Sequence, residues 1–420
     1  MKVQYLNASG GLGGAEVCLL DMMASLRKEQ PDWSLAVIAT QDGPFVAKAA
    51  ALGVTTEVLP LPRALSLLGD SKPSSGPLAQ IALGARLARS AFVARKYSHE
   101  LSNRIREFAP DLVHSNSLKM HLLGTWGQGP RPPIIWHLHD YLSSRPFMSK
   151  ALRFQRRRCA AVLANSDGVR DDARSALHGG PEVSTLYNAI DVSEFSPDGP
   201  VADLDRMCNL QLPAAGAVRV GLIATMAWWK GHRDFIRAMA LLCEEKLGPE
   251  ELGDEKLDDV KNIRGYIIGG PLYDSEGSQE SIEQLRALST QLGLQSRMGF
   301  TGFVDKPSSA IRALDIVVHA STRPEPFGRV IVEAMACGKP VITTAVGGAA
   351  ELVTIGQDAL DFRMSDPAHL AERIRELARD PALRERLGCA GRITAVKKFN
   401  RERLGRQLVA FYRQVLGRVN

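Results

Sequence analysis

The chain is predicted to be an α/β protein with a parallel sheet in each of two halves, and three observations carry the prediction. Short apolar strands alternate with helix-patterned runs, a glycine-rich turn follows the first strand, and 420 residues exceed what one ordinary core holds. The first unit is a strand at 3–7, the turn at 9–14 and a helix from Ala15 to about Lys28. Glycines 10, 11, 13 and 14 let a ligand approach the backbone, although their spacing is not that of a dinucleotide fingerprint. Strands at 34–40, 56–61, 112–116, 134–138, 162–165 and 184–187 alternate with helices and imply a sheet covered on both faces. Residues 191–217 turn loop-like and read as a linker, and the Asp203 to Asp205 triplet within it reads as chance rather than as a metal-nucleotide motif. The pattern restarts with strands at 218–224, 266–270, 298–302, 316–320 and 340–344, and three helical runs close the chain from 366 to 419.

Composition sets limits on function. Apolar content of 45% and charged content of 23% are ordinary for a soluble protein, and a net charge of +6 over this length does not argue for nucleic acid. Six cysteines lie scattered without metal-ligand spacing, which points to reduced thiols and a cytoplasmic protein. The N-terminus runs straight into a strand without a signal core, and no uncharged run is long enough to span a bilayer. Between 62 and 110 the rhythm breaks: a Ser/Pro/Gly patch at 71–77 precedes a helical run with Arg86, Arg89, Arg95, Lys96, Arg104 and Arg106. A second basic cluster, Arg153, Arg156, Arg157 and Arg158, precedes the strand near 162. Basic helices of this kind suit either solvent or the inner face of an anionic membrane, as a peripheral contact. The hydrophilic run 244–259 reads as a surface loop or frayed helix.

The stretch 321–339, STRPEPFGRVIVEAMACGK, holds the densest chemistry. Pro324 and Pro326 hold Glu325 in a loop, and Gly328 opens a run with apolar residues at helical spacing that carries Glu333. A helical side chain leans toward its own N-terminus, so Glu333 and Glu325 can face one ligand. The helix start offers amides at Phe327, Gly328, Arg329 and Val330 for a phosphate or hydroxyl. Elsewhere, Lys230 and Gly231 open a helix after a strand, well placed for a diphosphate, and the WHLHD run at 136–140 places His139 at the carboxyl edge of a strand.

Taken together, Glu325-PFGRVIV-Glu333, its continuation EAMACGKPVITTAVGGAAEL, the preceding TGFVDKPSSAIRALDIVVHAS and the Lys230-Gly231 pair resemble the group 1 glycosyltransferases. In the first half GGLGGAE, His139-Asp140, ANSDGVRD and YNAID resemble that family's corresponding blocks. The resemblance implies a GT-B fold, with two Rossmann-like domains whose parallel sheets face across a cleft: an acceptor-binding domain at 1–195, a linker at 196–217, a donor domain at 218–401, and a final helix near 402–420 crossing back. It implies a retaining, metal-independent transfer of a hexosyl-type sugar from a UDP- or GDP-type nucleotide sugar, a substrate rather than a cofactor, to a glycan, lipid-linked or small-molecule acceptor. Glu333 would take the ribose hydroxyls, while Glu325 with the amides of Phe327, Gly328 and Arg329 would hold the donor sugar. Lys230 would carry the diphosphate, Gly13 and Gly14 would lie near diphosphate or acceptor, His139 near the reacting sugar, and Phe303 near the base. Thr225 stands where the family has a second diphosphate arginine, with Arg233 a candidate substitute. A catalytically silent nucleotide-sugar scaffold and a GT-B epimerase are the rival readings.

Overall fold

The computed structural model describes residues 1–66, 77–126, 132–212, 216–244, 262–271 and 279–419, with 66, 77–89, 244 and 419 described by backbone alone. The patch at 71–76, the side chains of Arg86 and Arg89, and 245–259 of the hydrophilic run therefore lie outside the described residues. The chain divides into two compact units, one of residues 1–189 and 401–420, the other of 190–400.

The first unit is built on seven parallel strands: β1 (Lys2–Asn7), β2 (Ser34–Ala39), β3 (Thr55–Val58), β4 (Leu112–Ser115), β5 (Ile134–Leu138), β6 (Ala161–Ala164) and β7 (Val183–Thr185). They lie in the order β3-β2-β1-β4-β5-β6-β7. Strands buried on both faces read as continuous apolar runs, and β4, β5 and β6 are buried at every position. One face carries the helices Gly14–Glu29 and Pro44–Ala51 together with the C-terminal helix Arg401–Val419, whose Leu404, Leu408, Tyr412 and Val415 share a core with Leu19, Met22 and Phe45. The other face carries Pro77–Phe108, Leu118–Trp126, Pro146–Gln155 and Asp167–Leu177, packed around Tyr97, Trp136 and Leu152. The final helix is anchored by polar contacts as well. Arg401 meets Asp21 at 2.6 Å, and the Arg403 guanidinium donates to the carbonyls of Tyr187 and Asn188.

The second unit holds β8 (Val218–Ile223), β9 (Ile263–Ile268), β10 (Met298–Gly302), β11 (Ile316–His319), β12 (Val341–Thr343) and β13 (Leu360–Asp361), in the order β10-β9-β8-β11-β12-β13. β13 was not foreseen: a two-residue strand carries no periodicity to read. The helices His232–Glu244, Ile282–Gln291 and Pro367–Arg379 pack on this sheet. None of the six cysteines is joined in a disulfide. Among the described residues no helix is long and apolar enough to cross a membrane.

One sequence reading needs correction. The stretch read as a linker belongs to the second unit through residue 212, and the Asp203 to Asp205 triplet is part of its framework rather than a chance string. Asp203 caps a one-turn helix, Leu204–Met207, by accepting from the Arg206 amide. Asp205, 1% exposed, accepts from Arg219 at 3.0 Å, Arg264 at 2.7 Å and the Tyr266 hydroxyl at 2.6 Å. Burial alone would raise its pKa, but these three donors hold it below the ordinary carboxylate range. The local sequence could not show this, because every partner lies on β8 or β9. Removing one member of such a network leaves buried charge uncompensated, so Asp205→Ala is expected to cost the second unit about 3–5 kcal/mol. Urea unfolding followed by a probe in residues 190–400 checks this; a loss under about 1 kcal/mol, the scale of an exposed pair, would mean the network is dispensable.

Candidate functional site

The strand order of the second unit reverses between β8 and β11, and loops at the carboxyl ends of such neighbouring strands splay apart to leave a crevice. The loop after β8 carries Thr225, Trp228, Trp229 and Lys230; the loop after β11 carries Ser321, Arg323 and Glu325. Two backbone devices bring them together. Gly231 has φ +76°, and a Cβ there would sit 1.9 Å from the Ala320 carbonyl oxygen, so only glycine permits the approach. The Thr322 amide donates to the Trp229 carbonyl at 2.7 Å.

Glu325 sits at the centre. Its amide donates to Val346 O at 3.1 Å and its carbonyl accepts from the Gly348 amide at 2.7 Å, which pins the residue to the loop after β12. It is thus no free acidic loop. Lys230 Nζ donates to both carboxylate oxygens, at 2.7 and 2.9 Å, and Ser321 Oγ donates to Oε2 at 2.6 Å. His319 Nε2 lies 3.5 Å from Oε2, while its Nδ1 meets Thr343 Oγ1 at 3.0 Å. The pair is largely dry, with side-chain exposures of 21% for Lys230 and 14% for Glu325. Burial pushes the Glu325 carboxyl up, yet the Lys230 charge and the His319 contact outweigh it and hold the group far below the usual range. Glu325 is therefore a permanent anion at any physiological pH.

The helix Arg329–Ala336 starts beside it. Gly328, at φ +91°, caps it, and the amides of Phe327, Gly328 and Val330 meet no protein acceptor among the described residues. Glu333 is 8% exposed and leans back one turn, where Oε1 accepts from Arg329 Nε at 2.6 Å. Phe327 is buried edge-on against Phe399. Phe303 is 63% exposed beside Gly270. Arg233 is committed elsewhere: its guanidinium holds Glu280, so the structure does not place it on the Lys230–Glu325 pair. His319, Ser321 and Thr343 escaped the sequence reading, although HAS at 319–321 and TT at 343–344 were legible as polar residues closing apolar strands.

The first unit has a second polar cluster at its own reversal point, between β1 and β4. Asn7 ends β1, Asn116 follows β4 and His139 follows β5. Asn116 Nδ2 donates to Asn7 Oδ1 and to the Ala15 carbonyl, each at 3.2 Å, so Asn116 Oδ1 accepts from His139 Nε2–H at 2.8 Å. That assigns the tautomer and leaves His139 Nδ1 as an acceptor. Burial lowers the His139 pKa to about 4, so the ring is neutral. Gly13 caps the Gly14–Glu29 helix, and a Cβ on Gly14 would meet open space, so packing does not explain that glycine. Buried Glu16 joins the network through Asn7 Nδ2 at 3.4 Å, and burial raises its pKa. Neither asparagine was singled out from sequence, because each ends an apolar strand and has no neighbour in the chain to mark it.

Family models match along most of this chain: "Glycosyltransferase Family 4" over residues 12–194 and "Glycosyl transferases group 1" over 216–394. The chain belongs to the group 1 glycosyltransferases. The crystal structure of Anabaena HepE in complex with UDP and glucose is similar at 27% identity and a TM-score of 0.72, over 98% of this chain and 99% of that one. A sucrose-phosphate synthase from Thermosynechococcus elongatus, 19% identical with a TM-score of 0.73 over 99% of this chain and 100% of that one, shares the fold. Among curated relatives, the lipopolysaccharide core biosynthesis glycosyltransferase LpsD of Rhizobium meliloti is 33% identical over 49% of this chain and 50% of its own length. D-inositol 3-phosphate glycosyltransferase 1 of Catenulispora acidiphila is 31% identical over 61% of this chain and 59% of its own. The chain thus spans only about half to three-fifths of these relatives' lengths.

Two outcomes are expected of this chain. Lys230→Ala strands a buried carboxylate and should destabilise the second unit by about 3 kcal/mol, whereas Lys230→Ala with Glu325→Gln should recover most of that loss. Additive losses in urea titrations would mean the two side chains do not act as a pair. Separately, burial lowers His114 to about 3 from 6.5. The unfolded chain then takes up the proton first, so stability is whole above pH 6.5 and falls as pH drops toward the folded value. At about pH 5 this one ring costs about 2 kcal/mol. Thermal midpoints at about pH 7.5 and 5 should therefore differ less in His114→Phe than in the parent.

Proposed function

We propose that the chain is a retaining, metal-independent glycosyltransferase that moves a hexosyl-type sugar from a UDP- or GDP-type nucleotide sugar to a glycan, lipid-linked or small-molecule acceptor. The observation that carries this reading is the Lys230–Glu325 pair at the start of the Arg329–Ala336 helix, at the strand-order reversal of the second sheet. A diphosphate needs a fixed cation and amide donors, and a sugar needs fixed acceptors; this corner offers all three. The HepE complexes with UDP and with UDP-glucose favour UDP as the donor base. The lipopolysaccharide relatives favour a glycan acceptor.

In this reading Lys230 exchanges its carboxylate partner in part for the diphosphate and stabilises the charge that grows there as the glycosidic bond breaks. It does the work a metal would otherwise do. Ionised, acceptor-only Glu325 takes hydroxyls of the donor sugar, with the helix-start amides beside it, and Glu333 takes the two ribose hydroxyls. Each such charge-assisted contact contributes roughly 1.5–3 kcal/mol. Glu325 is a poor nucleophile while three neighbours hold its oxygens, so attack on the same face as the departing diphosphate, assisted by that leaving group, accounts better for retention. Neutral His139, oriented by Asn116, serves the reacting sugar, and the Gly13–Gly14 turn the diphosphate or acceptor. The protein would act at the cytoplasmic side.

A silent nucleotide-sugar-binding scaffold is favoured by one pair of observations: Thr225 replaces the family arginine, and Arg233 is held by Glu280. Transfer assays with UDP- and GDP-sugars separate the two readings. Glu325→Ala is expected to lower kcat about 100-fold or more with little loss of UDP affinity, Glu333→Ala to weaken UDP and uridine alike, and Lys230→Ala to weaken UDP far more than uridine. Retained UDP-sugar binding without transfer or donor hydrolysis would reject catalysis; small, equal effects at both glutamates would make them structural.

A further inference from the structure

From Pro146 to Arg158 the chain carries Lys150, Arg153, Arg156, Arg157 and Arg158 and no acid. Among the described residues none of these five is ion-paired to a carboxylate; Arg153, Arg156 and Arg158 donate to the carbonyls of Ala176, Arg153 and Thr125. The helix Pro146–Gln155 buries Ser149 and Leu152 and turns its other side outward. There Phe147 is 58% exposed and Phe154 is 89% exposed, two turns apart on one face, with exposed Lys150 between them and Arg157 continuing the line. Scattered apolar residues on a surface need no explanation, but two aromatic rings interleaved with unpaired cations do.

Beside this stripe, between the helix and Asp167–Leu177, lies an open groove of about 280 Å³ lined by Lys150, Arg153, Ser149, Asp172 and His178. The one carboxylate there, Asp172, accepts from the Ser143 amide at 3.2 Å. The helix Pro77–Phe108, on the same face of the sheet, repeats the theme with Phe92 72% exposed and Arg95 and Lys96 exposed.

We propose that the outer face of Pro146–Gln155 and the Arg156–Arg158 turn docks on an anionic lipid bilayer, with Phe147 and Phe154 entering the boundary between headgroups and acyl chains. A bilayer offers anionic phosphate and apolar carbon in adjoining layers, which matches aromatic and cationic side chains alternating one turn apart; an acidic polypeptide would satisfy the cations and leave the rings in water. The groove beside Lys150 and Arg153 receives a lipid phosphate in this arrangement. Nothing in it depends on the donor site, so the two readings fail separately.

The test is flotation of the full chain with phosphatidylcholine vesicles with and without phosphatidylglycerol. Binding is expected only with the anionic lipid and to fall with added salt. Phe154→Ser should weaken it about tenfold, since a ring of this size is worth that much on leaving water. Lys150→Glu with Arg157→Glu should weaken it at least as much, and both variants should keep the parent thermal midpoint and UDP affinity. Failure to float on anionic vesicles at low salt overturns the proposal. So does binding that Phe154→Ser leaves intact and soluble polyglutamate displaces, which would make the face a site for acidic protein.

Discussion

The second unit is organised around a positive and a negative charge held together out of water. Lys230 and Glu325 come from loops 95 residues apart, and their contact needs Gly231 against Ala320, the Thr322–Trp229 hydrogen bond and the Glu325–Gly348 bridge all to be in place. Such a pair is not there chiefly for stability, because two buried charges repay their desolvation only when geometry and further hydrogen bonds are good. What it achieves is position. Each loop end at the carboxyl edge of β8, β11 and β12 is fixed relative to the others, and a lysine and a carboxylate are held in contact and largely out of water where a ligand would otherwise have to order them.

The first unit treats its own reversal point differently. Its polar groups are amides, imidazoles and the buried carboxyl of Glu16, with no ion pair among them: Asn7 and Asn116 fix the His139 tautomer, and burial keeps that ring uncharged. Behind it the rings continue through His137, tilted against His139 at a centroid distance of 4.1 Å, and His114, edge-on to His137 at 5.2 Å, to a 2.7 Å hydrogen bond between His114 Nδ1 and the Tyr412 hydroxyl of the C-terminal helix. The first unit thus closes its reversal point with hydrogen bonds, and the second closes its own with an ion pair.

Much of the fold was legible because local patterns suffice for it. Strands buried on both faces must be continuous apolar runs, and β5 is found where apolarity and flanking turns put it. The helix holding Glu333 was legible for the same reason, as were its glycine start and the backward lean of the carboxylate. Other features rest on contacts between distant segments. Asp205 looked like chance because Arg219, Arg264 and Tyr266 lie elsewhere in sequence, and Arg233 looked available because Glu280 does.

By itself, then, the sequence determined the strand and helix order, the family, and which carboxylates and which lysine to watch, since each is written in a run of adjacent residues. Only the tertiary structure decided that Glu325 is gripped by Lys230, Ser321 and His319, that Glu333 is held by Arg329, and that Arg233 is spent on Glu280. Charge state and partner depend on burial and on what the fold brings within hydrogen-bond distance, and neither quantity is carried by neighbours along the chain.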